Sequence, residues 1–225
     1  MTSAARRIRV WDLPTRIFHW TLAALVVFSF TTGKAGGDWM AWHLRSGYAI
    51  LALVLFRIAW GFAGSETSRF ARFLRGPRAA LAYVRDTLAG RHPFVAGHNP
   101  AGGWMVLAML LALAFQASTG LFSDDEIATQ GPLAAKVSNE TVSRMSALHS
   151  ANEWAVVALV VLHVAAIVVY RFAWGTRLVG PMLHGRMEAP PGTGEPAMRP
   201  AWIAALLFAV CAAAVYALVA IYPVR

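Results

Sequence analysis

Five long apolar runs, separated by segments rich in arginine and glycine, set the pattern of this chain. They fall at roughly 17–33, 40–63, 103–122, 149–173 and 200–222. Each is close to the ~20 residues that a helix needs to cross the hydrocarbon core of a bilayer. No water is available there to satisfy backbone polar groups, so all five runs are predicted to be helices. Trp20, Trp39, Trp42, Trp60, Trp104, Trp154, Trp174 and Trp202 stand at or near the ends of the runs. That is the belt expected of amphipathic rings at the two membrane interfaces. The first run is read as retained rather than cleaved: His19 and Trp20 lie within it, and no small-x-small site follows.

The segments between the runs are uneven. Residues 64–102 carry a stretch from Arg69 to Leu88 that is predicted to form one short, basic, amphipathic helix on the membrane surface. "RHPFVAGHNPAGG" then turns into the third span. Residues 123–148 form a long connection opening with Asp124, Asp125 and Glu126, and residues 185–199 are rich in proline and glycine and read as a linker. No internal repeat and no low-complexity tract stands out.

Composition agrees: 58% of the residues are hydrophobic and only 14% charged, too little charge for a soluble domain of this length. The one cysteine, Cys211, sits in an apolar run, so no intrachain disulfide is available, and the absence of CxxCH excludes covalently attached haem. A net charge of +9 would suggest nucleic acid, but the basic residues flank the spans instead. Fourteen of them lie before the first span, between the second and third, or between the fourth and fifth. Only Lys34, Lys136, Arg144 and Arg225 lie on the other side. This places the N-terminus in the cytoplasm and the C-terminus outside, with membrane lipid as the partner of the charge and no role in nucleic-acid binding.

Ionisable groups at membrane depth are functional candidates by default. His19 lies near the cytoplasmic start of the first span and His43 near the outer start of the second. The fourth span carries His149 near its outer start and His163 fourteen residues further on, about 21 Å along the axis and within ~40° of the same face. So His163 shares a depth with His19, and His149 with His43. Two imidazoles at one depth on facing helices suit a six-coordinate b-type haem, whose porphyrin fills the other four positions. Zinc or copper would need three or four converging ligands. The prediction is two non-covalent b haems, with axial pairs His19/His163 and His43/His149.

Other residues fall into the same frame. Gly47, one turn after His43, leaves room for a flat macrocycle; close helix packing is the other reason for a glycine there. Arg57, fourteen residues after His43, faces as His43 does at the depth of the inner haem, where it could hold a propionate. Arg45 near the outer haem and Arg16 at the inner surface could do the same or reach lipid phosphate. His98 is a candidate contact of the inner haem edge or a propionate; His92 and His184 are read as solvated loop residues. No acid lies deep in the spans, Glu153 being one turn into the fourth.

"VWDLPTRIFHW" (10–20), "WHLRSGY" (42–48), "FRIAWGFAGSETSRF" (56–70), "GHNPAGG" (97–103) and "LHSANEWAVVALVVLHVAAIVVYR" (148–171) together resemble the bacterial cytochrome b561 family, which includes the b-type subunits of nickel–iron hydrogenases. The resemblance covers roughly 8–184. It implies an all-α, integral membrane, four-helix bundle with two b haems, ligated at His19, His43, His149 and His163. It implies electron transfer in a respiratory chain at the bacterial inner membrane, between the quinone pool and a redox partner such as a periplasmic c-type cytochrome, a dehydrogenase or a hydrogenase. The expected organisation is a di-haem domain over 1–184, a linker over 185–199 and a fifth transmembrane helix over 200–225 that the core bundle of the family lacks. Quinol oxidoreductase activity and a homodimer stay open. The acids at 124–126 are read as a dock for an external cytochrome or as a lid over the outer haem. The rival readings are a haem-bearing membrane anchor of a redox complex and a histidine-using metal or proton transporter.

Overall fold

The computed structural model describes residues 6–91, 93–125, 127 and 129–221. His92, Glu126 and Arg225, which the sequence places in a solvated loop, the acidic patch and the external basic set, lie outside the described residues.

Five helices are long and apolar enough to span a membrane. They belong to the series α1 (Leu13–Ala35), α2 (Met40–Ala63), α3 (Phe70–Phe73), α4 (Pro77–Leu88), α5 (Pro100–Gly120), α6 (Asn139–Phe172), α7 (Val179–His184) and α8 (Ala201–Ile221). The all-α membrane architecture expected from the apolar runs is therefore present. Only 6% of the apolar window of α6 is buried within the protein, so its remaining surface is suited to lipid and to a bound group.

The chain forms two compact units. The first comprises Met1–Ile17, Arg57–Ala108 and Val161–Ala205. At its centre Asp12, 4% exposed, caps α1: its Oδ1 accepts the Thr15 N–H at 2.7 Å. Its Oδ2 accepts the indole N–H of the fully buried Trp60 at 3.1 Å. An N-cap of this kind is worth ~1 kcal/mol, and a buried indole N–H left unpaired costs about 1–3 kcal/mol, so one carboxylate secures both the entry of α1 and the end of α2. Thr67 donates to the Val10 carbonyl at 2.6 Å, and the Thr15 and Ser68 hydroxyls meet at 2.8 Å.

The second unit comprises Phe18–Phe56, Met109–Val160 and Leu206–Arg225. α1 ends at Gly36 and Gly37, both at positive φ (64° and 54°), a conformation that needs glycine. The chain therefore turns at once into α2. One side of α2 packs Ile50 and Val54 against Leu113 of α5 and Leu22, Leu25 and Val26 of α1. Another packs Leu51 and Ala52 against Leu121 and against Val215 of α8. The fifth span thus covers a face of α2 directly.

Several sequence expectations are corrected. α6 starts at Asn139, ten residues before the apolar run, because Ser138 accepts the Thr141 N–H and starts the helix in polar sequence. The connection before it is shorter than 123–148, and Glu153 lies fourteen residues into the helix rather than one turn, ion-paired to Lys34 at 2.6 Å. The basic segment 69–88 is two helices, α3 and α4, broken at Gly76–Pro77, with Pro77 in the first turn of α4. Residues 185–199 are not a loose linker. Arg186–Ala189 forms a strand, β2, antiparallel to β1 (Arg6–Arg9), with Ile8 opposite Met187. Further along, Glu66 and Ala197 exchange two hydrogen bonds of 2.9 Å, and Arg199 N–H donates to Ser65 Oγ at 3.0 Å. The Ala197 N–H, with the Arg72 guanidinium, holds the Glu66 carboxyl below the usual carboxylate range.

Candidate functional site

The second unit brings the rings of His43 of α2 and His149 of α6 together in a T-shaped, edge-to-face arrangement. Their ring centroids are 6.1 Å apart and their planes are nearly perpendicular, at 88°. Each ring is held from behind by a backbone carbonyl of a neighbouring helix. His43 Nδ1–H donates to the Ser29 carbonyl of α1 at 2.8 Å, and His149 Nδ1–H donates to the Gln116 carbonyl of α5 at 2.9 Å. Fixing the proton on Nδ1 in both rings leaves each Nε2 with a free lone pair, the atom a metal would take.

Two glycines make this possible. In an α-helix the side chain at position i+4 leans back over the carbonyl of residue i. Gly33 stands four residues after Ser29 and Gly120 four after Gln116, so both carbonyls are uncovered. A Cβ on Gly33 would come within 2.8 Å of His43 Nδ1, and one on Gly120 within 2.9 Å of His149 Cε1. Around them Gln116 Nε2 donates to the His149 carbonyl at 3.0 Å, and Asn152 Nδ2 donates to Gln116 Oε1 at 2.7 Å. From the sequence, "QASTG" at 116–120 reads only as small and polar groups near the outer end of a span that walls the haem cavity, and Ser29, Gly33 and Asn152 carry no assignment. Their signal is a paired pentad, "SFTTG" at 29–33 and "QASTG" at 116–120, each ending a span.

Gly47 lies on α2 beside this pair. A Cβ there would meet nothing within 4 Å, so close helix packing does not explain the glycine. Arg45 is exposed and lies over the Trp42 ring at 5.0 Å. His19 is half-buried on α1, edge-on to Trp20 at 4.9 Å, and an apolar hollow of ≈ 640 Å³ follows along Trp20, Thr21, Ala24, Leu25 and Phe28.

In the first unit Arg57 is 2% exposed, and neither of its terminal nitrogens has a hydrogen-bond partner. Its guanidinium lies over Phe70 and Phe73, at 5.3 and 5.7 Å from the ring centroids, and Asp12 acts on it electrostatically from beyond ion-pair distance. Those two terminal nitrogens, four N–H donors between them, are chemically suited to an anion such as a carboxylate. His98 sits between Trp11 (4.6 Å) and Phe73 (4.8 Å), and a cavity of ≈ 430 Å³ opens beside it, lined also by Glu66, Arg72, Arg75 and Glu195. Arg16 is turned to the backbone, donating to the Leu183 carbonyl at 2.6 Å. His163 is half-buried in α6, and His184 accepts the Arg186 N–H at 3.2 Å.

The residues fit a haem. A metal between two imidazoles, at ~2 Å per metal–nitrogen bond, sets the ring centroids roughly 6 Å apart, as His43 and His149 stand. No group of three or more His, Cys, Asp and Glu suited to a metal ion occurs among the described residues. No curated protein matches the chain. The profile of prokaryotic cytochrome b561 matches residues 10–185, most of the chain and four of its spans. On that match the chain belongs to the prokaryotic cytochrome b561 family, multi-pass membrane proteins that meet lipid and carry electrons across the bilayer on haem b.

Proposed function

We propose that this protein holds two b haems and passes electrons between the quinone pool and a redox partner outside the inner membrane, such as a c-type cytochrome, a dehydrogenase or a hydrogenase. The observation that carries the proposal is the opposed pair His43/His149, each locked by its own carbonyl. These two residues would hold an outer haem, each offering Nε2 to the iron. The inner pair, His19 and His163, rests on helix register: fourteen residues along α6 from His149 bring the second imidazole to the same face. Haem supplies one-electron chemistry when bound; the protein contributes ligands, a dry cavity and fixed charge. Gly47 gives the macrocycle space, and Arg57 holds an inner propionate. The excess of arginine on one set of flanks supports an N-terminus in the cytoplasm and a C-terminus in the periplasm. The cavity beside His98, lined also by Glu195, is where a quinone head group would bind. Asp124 and Asp125 accept hydrogen bonds from Gln130, Ile127 and Thr129, which favours a structured lid over a free acidic dock.

Purified protein should contain two haems per chain by pyridine haemochromogen assay, both extracted by acid–acetone, and added quinol should reduce them. One haem per chain, or haem that stays on the chain, defeats the paired scheme. Haem that quinol leaves oxidised leaves a membrane anchor instead of a carrier.

Arg57→Leu should lower the inner haem's midpoint potential, because a positive charge that favours the added electron is gone from a site of low dielectric. The outer haem should move less. A redox titration with no change, or with a shift confined to the outer haem, reassigns Arg57 to packing.

A further inference from the structure

The two histidine-locking carbonyls share one more feature. Thr32, buried at 3% exposure, donates its hydroxyl to the Phe28 carbonyl at 2.8 Å and also to the Ser29 carbonyl at 3.1 Å. Thr119, equally buried, donates to the Phe115 carbonyl at 2.9 Å and to the Gln116 carbonyl at 3.0 Å. Ser29 O and Gln116 O are the atoms that accept from His43 and His149. A threonine inside a helix commonly bonds the carbonyl one turn back. Here, twice and at equivalent places, the hydroxyl is shared with the one carbonyl that a histidine uses. We infer that Thr32 and Thr119 are positioning residues that set how strongly each carbonyl pulls on its histidine's Nδ1 proton, and thereby the potential of the outer haem; this rests on the ligand assignment proposed above.

The physics gives the sign. Two donors on one carbonyl oxygen compete for its electron density, so the threonine weakens the histidine's bond. A stronger Nδ1–H···O bond makes the imidazole a more basic ligand. A more basic ligand favours ferric iron, and hydrogen bonding around a cofactor is one of the protein's levers on its potential. Removing the Thr32 hydroxyl therefore frees the Ser29 carbonyl for His43 and lowers the outer potential. At Thr119 two effects oppose. Its hydroxyl lies 3.3 Å from His149 Nδ1, so it also serves that proton as a second acceptor. Its removal gives a smaller shift. At the other site that second acceptor is the Ser29 hydroxyl, also at 3.3 Å, which Thr32→Val leaves in place.

The test is a spectroelectrochemical titration of full-length protein carrying Thr32→Val, Thr32→Ser, Thr119→Val or Thr119→Ser, with haem content measured on each. The outer haem is identified as the one lost in His43→Leu and in His149→Leu; if these two remove different haems, the ligand assignment itself has failed. With the assignment intact, Thr32→Val should lower the outer potential and leave the inner one fixed. Thr32→Ser should restore it, and Thr119→Val should shift it less than Thr32→Val does. An outer potential unchanged in Thr32→Val, or shifted equally in Thr32→Ser, overturns the inference. If a valine variant loses the haem, the serine variant decides: retention supports a role for the hydroxyl, and loss in both overturns it.

Discussion

His43→Leu and His149→Leu should each remove the same haem, and His19→Leu and His163→Leu the other. The first half follows from distance. The rings of His43 and His149 stand 6.1 Å apart, and no side chain but an imidazole can supply the nitrogen that each carbonyl orients. If both histidines hold the same haem, replacing either by leucine would remove one of the two protein ligands and weaken retention of the group. The second half follows from register, because α6 can present only one of its two histidines at each depth. The double variants are the sharper measurement. His19→Leu/His163→Leu should keep one haem with a near-native reduced spectrum, whereas His19→Leu/His149→Leu should disturb both. If the latter pair leaves one haem untouched, those two residues share a site and the topology argued from the arginines is wrong. Transporter chemistry predicts neither pattern, since it places no chromophore at the histidines.

Residue types that act through their own side chains at a fixed helical period were legible in the sequence. The spans were found that way; the proposed roles of the four histidines and Arg57 were drawn the same way, since the fourteen-residue spacing needs only helix geometry. What escaped notice acts through the backbone or through distant pairing. The Ser29 and Gln116 carbonyls carry no residue signature; only the glycine four positions later marks them, and a single glycine near a span end reads as a turn. β1 is a run of arginines and one isoleucine that finds its partner far along the chain, so neither strand announces itself. α6 was cut short because hydropathy marks the lipid-crossing part of a helix and not its polar start. Asp12 has no role legible in the motif that carries it: its bond to Thr15 is a local cap, but its bond to the Trp60 indole joins segments 48 residues apart. α8 looked like an appendage because its packing against α2 uses small apolar residues of no distinctive pattern.

Three glycines around the outer pair should separate protein contacts from cofactor contacts. Gly33→Ala and Gly120→Ala each place a methyl at 2.8–2.9 Å from a histidine ring, well inside the distance that carbon atoms tolerate. The ring must swing away, its Nδ1–H···O bond breaks, and Nε2 leaves the axis toward its partner. Loss of such supporting contacts commonly costs about 10–100-fold in metal affinity, and the outer haem should be depleted to that degree in either variant while the inner haem stays. Gly47 behaves differently. Within the protein a methyl there meets nothing within 4 Å, so Gly47→Ala should leave helix content and the thermal unfolding of haem-free protein unchanged. If the macrocycle lies against that face, Gly47→Ala should still weaken the outer haem, and a larger side chain should exclude it. Titrating haem into haem-depleted protein and following the outer Soret signal reads both effects. Unaltered haem binding in Gly47→Leu would mean that the porphyrin lies elsewhere around His43. Unaltered binding in Gly33→Ala and Gly120→Ala would mean that the carbonyl lock does not orient the ligands.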